Sequence, residues 1–299
     1  MLQHAFVVAA ALAGAVFTAI GIVVRQRATM DVPQDQGVSR LMLNTLLHRR
    51  VWWAGTAAAV TGYVFQAVAL AFGSLLLVAP LMVSALLFAL PLSARISRRR
   101  VTRAEWGWAT MLTVTLAVFV SLARTRPGDY EGAEVPAAVV AVICLLVVAS
   151  SLVVAVRLSG WRRAILLALG VGVLFGVVAV LTKIEMQLLT EDGAARLLTS
   201  PVTYALIAVA VAATLLQQSA FHAGSLKASV PAMLVLEPLV AVLLGQVILG
   251  EHLAVSTPSA IALAVATAAM AVATIALGRD EGAFEDELEA STTRRPPAG

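Results

Sequence analysis

Residues 217–253 read QQSAFHAGSLKASVPAMLVLEPLVAVLLGQVILGEHL, and inside them Glu237 and Pro238 interrupt a run of Leu, Val and Ala. The run belongs to a chain of 299 residues that is 60% hydrophobic and 13% charged, with a mean hydropathy of +0.92. Soluble domains carry about 25% charged residues. The solvent of this chain is therefore a bilayer, and the carboxylate of Glu237 falls deep within a membrane helix.

A hydrocarbon core about 30 Å thick is crossed by about 20 apolar helical residues. Segments 4–24, 51–72, 75–93, 105–123, 137–157, 164–183, 202–222, 230–250 and 259–278 qualify. The expected fold is all-α, a polytopic membrane helix bundle of about nine spans. Arg25 and Arg27 follow the first segment and no Lys or Arg precedes it, the reverse of a cleavable signal peptide, so that span is expected to stay. Residues 25–50 end in SRLMLNTLLHRR, which suits an interfacial amphipathic helix. The tail after 278 carries six of the chain's seventeen acids and is expected to be disordered and cytoplasmic.

Basic residues resist translocation. With nine alternating spans, seventeen Lys and Arg fall on one side, in 25–50, 94–104, 157–163, 223–229 and the tail. Only Arg124, Arg126, Lys183 and Arg196 fall on the other. This asymmetry places the N-terminus outside the cell membrane and the C-terminus in the cytoplasm. The arginines at 95, 98, 99, 100 and 103 suit anionic lipid headgroups, and Trp52, Trp53, Trp106, Trp108 and Trp161 lie near span ends as an interfacial belt.

Several function classes drop out. The lone Cys144 has no partner for a disulfide or a thiolate metal site. The bases flank apolar segments and form no nucleic-acid groove. HExxH, CxxC and P-loop patterns do not occur, His222 and His252 sit at opposite ends of a hairpin, and no Ser, His and carboxylate group together. The chain reads as a non-enzyme with no cofactor.

The two halves of the chain echo each other. Gln66, Gly73, Ser74, Leu75 and Pro80 match Gln217, Gly224, Ser225, Leu226 and Pro231 at one offset of 151. GAVFTAIGIVVR, ending at Arg25, likewise matches GVLFGVVAVLTK, ending at Lys183. Helices 1–4 (within 1–123) thus pair with helices 6–9 (within 164–278). Residues 124–163 are left as a connector carrying helix 5, and 279–299 as the tail. An odd number of spans from each helix to its counterpart inverts one repeat relative to the other, which is a transporter device.

RRVWWAGTAAAVTGYVFQAVALAFGSLLLVAPLMVSALLFALPLSARISRRR (49–100) and residues 215–253 resemble the drug/metabolite transporter superfamily, in particular bacterial members related to NIPA-type magnesium transporters. The Gly-Ser-Leu turn, the following Pro, the EP pair and the closing LGE carry the likeness. It implies an inverted-repeat bundle that moves small metabolites, drugs or divalent cations by alternating access, and it transfers no particular cargo. Nine spans depart from the ten common in that superfamily.

Gly73 and Gly224 are expected to permit tight reversals, with Ser74 and Ser225 satisfying helix-end groups. Pro80 and Pro231 suit helix starts or hinges, Pro80 lying deep enough to kink its helix. Gln66 and Gln217 suit interhelical hydrogen bonds or cargo contact. An acid at a helix centre costs at least about 2.5 kcal/mol on insertion scales, so Glu237 is expected to face the bundle interior. Pro238 has no N–H to bond the carbonyl of Leu234, which leaves that oxygen beside the carboxylate for a cation or an ammonium group. The alternative is a structural Glu237 bonded to a neighbouring helix. Lys183, Glu185 and Glu251 read as gating or vestibule residues, and Glu237 is the metal ligand if the cargo is a metal ion. The partners implied are the bilayer, a small-molecule or cation substrate, a coupling proton or ion, and a second copy of the chain as a homodimer. The rival reading is a non-transporting membrane scaffold subunit.

Overall fold

The structure, a computed structural model, describes residues 2–30, 49–96, 100–123, 125–126, 137–223, 226–253 and 255–293. It is a bundle of α-helices. In chain order these are α1 (Leu2–Met30), α2 (Arg50–Phe72), α3 (Leu75–Met82), α4 (Ala85–Ile96), α5 (Arg103–Leu122), α6 (Ala137–Val156), α7 (Gly160–Asp192), α8 (Ala194–Thr199), α9 (Pro201–Ala223), α10 (Leu226–Leu249) and α11 (Thr257–Thr293). A two-residue antiparallel ladder, β1 (Thr125–Arg126) with β2 (His252–Leu253), ties two loops together. Among the described residues eight helical stretches are long and apolar enough to cross a membrane, with α3 and α4 together forming one of them. This is a multi-pass membrane protein. The expected span 202–222 is helical within α9, whose described apolar part, 201–217, is shorter than the others.

Small residues let the helices approach closely where apolar solvent gives no hydrophobic drive between them. A Cβ added to Gly62 would lie 2.6 Å from Thr18 Oγ1 and 2.8 Å from Thr18 N, and one on Gly21 would lie 2.7 Å from Ala59 N. These contacts join α1 to α2 backbone to backbone. On the other side Gly172 meets Leu236 and Glu237, and Gly176 meets Val240 and Ala241, so α7 and α10 run parallel in contact. Between the two pairs lies α3, buried from Leu75 through Leu81, with α1, α2, α5, α7 and α10 packed around it.

Hydropathy misjudged several ends, because it marks the solvent and not the hydrogen-bond ladder. The third span is two helices, broken at Val83–Ser84 just after Pro80. The sixth does not stop at Lys183 but continues to Asp192, and α11 runs through Thr293 into the segment expected to be disordered. Extending a formed helix costs little, and the tail's Glu, Ala and Leu are good helix formers. Helix α1 reaches Met30, while the rest of the expected interfacial helix, and Gly224 and Ser225, lie outside the described residues. By contrast α5 starts where a capping box dictates, with Glu105 N donating to Thr102 Oγ1 and Thr102 N to Glu105 Oε2.

Glycine packing predicts a contrast between two substitutions. Gly62→Leu should destabilise the protein by about 1–3 kcal/mol, because the new atoms meet α1 backbone. Gly107→Ala, with nothing within 4 Å of its added Cβ, should leave stability unchanged or raise it by about 0.5–1 kcal/mol. Thermal unfolding of the purified variants in detergent checks both.

Candidate functional site

Between Phe72 and Leu75 the chain reverses, exposing the carbonyl end of α2 and the N–H end of α3 side by side. Water cannot serve such groups within the bundle, so partners must come from protein. Gln3 Nε2 donates to Phe72 O at 3.1 Å, and the others come from the second half of the chain. Lys183 Nζ donates to Leu70 O at 2.6 Å and to Gly73 O at 2.7 Å. Leu75 N donates to Glu251 Oε1 at 3.0 Å and Leu76 N to Oε2 at 3.1 Å. The cation sits at the negative end of one helix and the anion at the positive end of the next, the favourable sense for both helix dipoles.

Two expectations about this turn change. Gly73 has φ −123° and ψ 166°, an extended conformation open to any residue. Its role is space, since a Cβ there would lie 2.4 Å from Val7 Cγ1 and 2.9 Å from Ala69 O. The Ser74 hydroxyl caps nothing and has no partner among the described residues, because the Glu251 carboxylate takes the first two N–H groups of α3 with charge-assisted bonds. Glu251 is aimed there by Gly250, whose φ of +62° turns the chain sharply at the end of α10. Burial pushes its carboxyl above the ordinary range, opposed by the Leu75 and Leu76 N–H groups and by Lys183.

Lys183 and Glu185 are 8% and 4% exposed, so they do not line an open vestibule. Glu185 Oε1 and Leu197 O share the single hydroxyl proton of Thr203 at the start of α9, while Glu185 Oε2 is buried with no partner among the described residues. Beside Lys183, Thr182 spends its one hydroxyl proton on Val178 O, so the 2.7 Å contact with Tyr63 runs from the tyrosine O–H to Thr182 Oγ1. About one turn of α7, Thr182 to Glu185, thus ties to α2 and α9.

Glu237 lies midway along α10, about 12 Å below the level where Gly245 meets Leu75 and Leu76. It belongs to the row Met233, Glu237, Ala241, Gly245, whose other members are buried, while Leu239, Leu243 and Val247 form the exposed face. The carboxylate therefore faces the bundle. It is half-buried and makes no hydrogen bond or ion pair with a described residue. Helix α10 passes through Pro238 without interruption, which leaves the Leu234 carbonyl without its ladder donor.

The two glutamines are not brought together. Gln66 lies one turn before Leu70, near the clamped reversal, with its backbone against Gly14. Gln217 lies near the opposite end of the bundle, on a helix whose first turn meets Glu185. Both are half-buried. The backbone at Pro231 continues α10, so that proline lies in the helix's second turn.

No family model and no solved structure matches this sequence. A Corynebacterium glutamicum protein described as uncharacterized is 39% identical over 269 residues, which cover 90% of this chain and 93% of that protein. The chain belongs to that protein's family. The likeness takes in nearly the whole bundle and adds no chemistry of its own.

The clamp predicts non-additive mutants. Lys183→Met strands the carbonyls of Leu70 and Gly73, and Glu251→Gln weakens the cap on α3, so each should cost about 1–3 kcal/mol. The double variant should lose less than the sum of the singles, by about 0.5–3 kcal/mol, because each charge is costly without the other. Unfolding of the two singles and the double measures the coupling.

Proposed function

We propose that this protein is a secondary transporter that moves a small polar solute, metabolite or cation across the membrane by alternating access, with Glu237 at its binding site. The observation that carries the reading is an acid midway along a membrane helix, turned to the bundle and without a described partner. Intramembrane acids are expensive, and those kept face interiors or water-filled paths where they meet substrate or ions. The sequence repeat, the resemblance to drug/metabolite transporters and the broken third span support the same reading. Lys183 and Glu251 are its gate residues. By the basic-residue asymmetry they lie at the outer end, and opening that end requires α2 and α3 to part from α7 and α10. The clamp is then what must break.

Cargo class follows from the same carboxylate. Among the described residues no group of three or more His, Cys, Asp or Glu gathers as a metal site. A magnesium ion that keeps most of its water needs only one or two carboxylates, so a NIPA-like cargo fits as well as a small organic cation.

Uptake into proteoliposomes against a panel of divalent cations and small amines tests the reading. Glu237→Gln should reduce uptake of the active solute at least tenfold, with expression and thermal stability close to wild type, because the amide keeps size but loses charge. Unaltered uptake by the folded variant would remove Glu237 from the site.

A further inference from the structure

The break in the third span falls at the depth of Glu237. Pro80 has no N–H to bond Leu76, and the chain then tightens. Val83 N donates to Pro80 O at 3.2 Å, Ser84 N to Leu81 O at 3.0 Å, Leu86 N to Val83 O at 3.1 Å and Leu87 N to Ser84 O at 2.9 Å, the spacing of a 3₁₀ turn. The turn ends α3 near the middle of a span running Leu75–Arg95, so the negative end of a helix dipole lies inside the membrane. Ser84 in that turn is 1% exposed, and its Oγ has no hydrogen-bond partner among the described residues.

Depth relates this turn to Glu237. Helices α3 and α10 pack together, and they are antiparallel because Glu251, just beyond the end of α10, caps the start of α3. Gly245 meets Leu75 and Leu76. Ser84 lies eight and nine residues below that level on one helix and Glu237 eight residues below it on the other. Both are about 12 Å down.

We infer that the Val83–Ser84 turn and Glu237 together bind one small monovalent cation, an alkali-metal ion or a protonated amine, with the Ser84 hydroxyl as a neutral oxygen ligand. This deepens the transport reading and rests on it. Charge sets the class. At the depth of the turn Glu237 is the only charged side chain among the described residues, Lys183, Glu185 and Glu251 all lying toward the α2–α3 reversal, so one positive charge neutralises it. A fully dehydrated divalent ion would leave a net positive charge where charges are poorly solvated. Unwound backbone and half-helix ends at mid-membrane are the places where membrane proteins hold such ions.

The test uses the full-length protein in detergent, with thermal unfolding followed in NaCl, methylammonium chloride or MgCl₂ against choline chloride at constant ionic strength. A ligand that binds the folded state raises Tm with its concentration. Wild type should be stabilised by sodium or by methylammonium, the stronger of the two identifying the source. Ser84→Ala should keep the choline Tm, since its hydroxyl has no described partner to lose, and should need at least tenfold more cation for the same shift. Glu237→Gln should abolish the shift. Coincident curves for Ser84→Ala and wild type, a shift with magnesium alone, or no shift in wild type would each overturn the inference. Failure of the parent reading is separate, because it appears as unaltered proteoliposome uptake by Glu237→Gln.

Discussion

Two charges close one turn. Where α2 ends and α3 begins, four backbone groups have no partner within their own helices, and Lys183 and Glu251 satisfy them from segments more than a hundred residues away in sequence. Neither side chain would be tolerable there alone, since each brings a buried charge whose cost is met only by the helix end it caps and by the other's opposite sign. The pair fixes which end of α7 and α10 meets the α2–α3 reversal, and with it the antiparallel seating of α3 against α10. The depth of every group below that end follows from this seating.

Below the clamp the bundle is organised by the absence of side chains. Glycines bring α1 onto α2 and α7 onto α10, two close pairs with the buried α3 between them. Close packing on both sides leaves little freedom within each pair, so relative motion has to come at the seams around α3. The span containing α3 is also the one with a broken backbone, and Glu237 lies at the depth of that break. A rigid pair on each side, a jointed span between them and a charge at the joint make an arrangement suited to exposing one site to alternate sides.

Much of this was legible in the chain itself. Apolar length located the spans, and the cost of an acid facing lipid turned Glu237 toward the bundle interior. The Gly-Ser reversal and Lys183 both appeared in the repeat. What the sequence concealed was nonlocal. Nothing near Lys183 or Glu251 announces that each is spent on a helix end in the other half, so their type suggested gating while their buried geometry did not show. Ser74 looked like a cap because serine commonly is one, yet a carboxylate competes better for the same N–H groups. Pro80 signalled a kink, but the position of the break three residues on depends on how the surrounding helices hold α3.

On the reading proposed above, the Lys183–Glu251 clamp keeps the outer end of the bundle shut. Labelling of Ser74→Cys, in a Cys144→Ala background, by a membrane-impermeant maleimide tests it most directly, since Ser74 is 8% exposed in the clamped state. Slow labelling from outside intact cells is expected, with a rate at least tenfold faster when Glu251→Gln is added. Equal rates in the two folded proteins would contradict it.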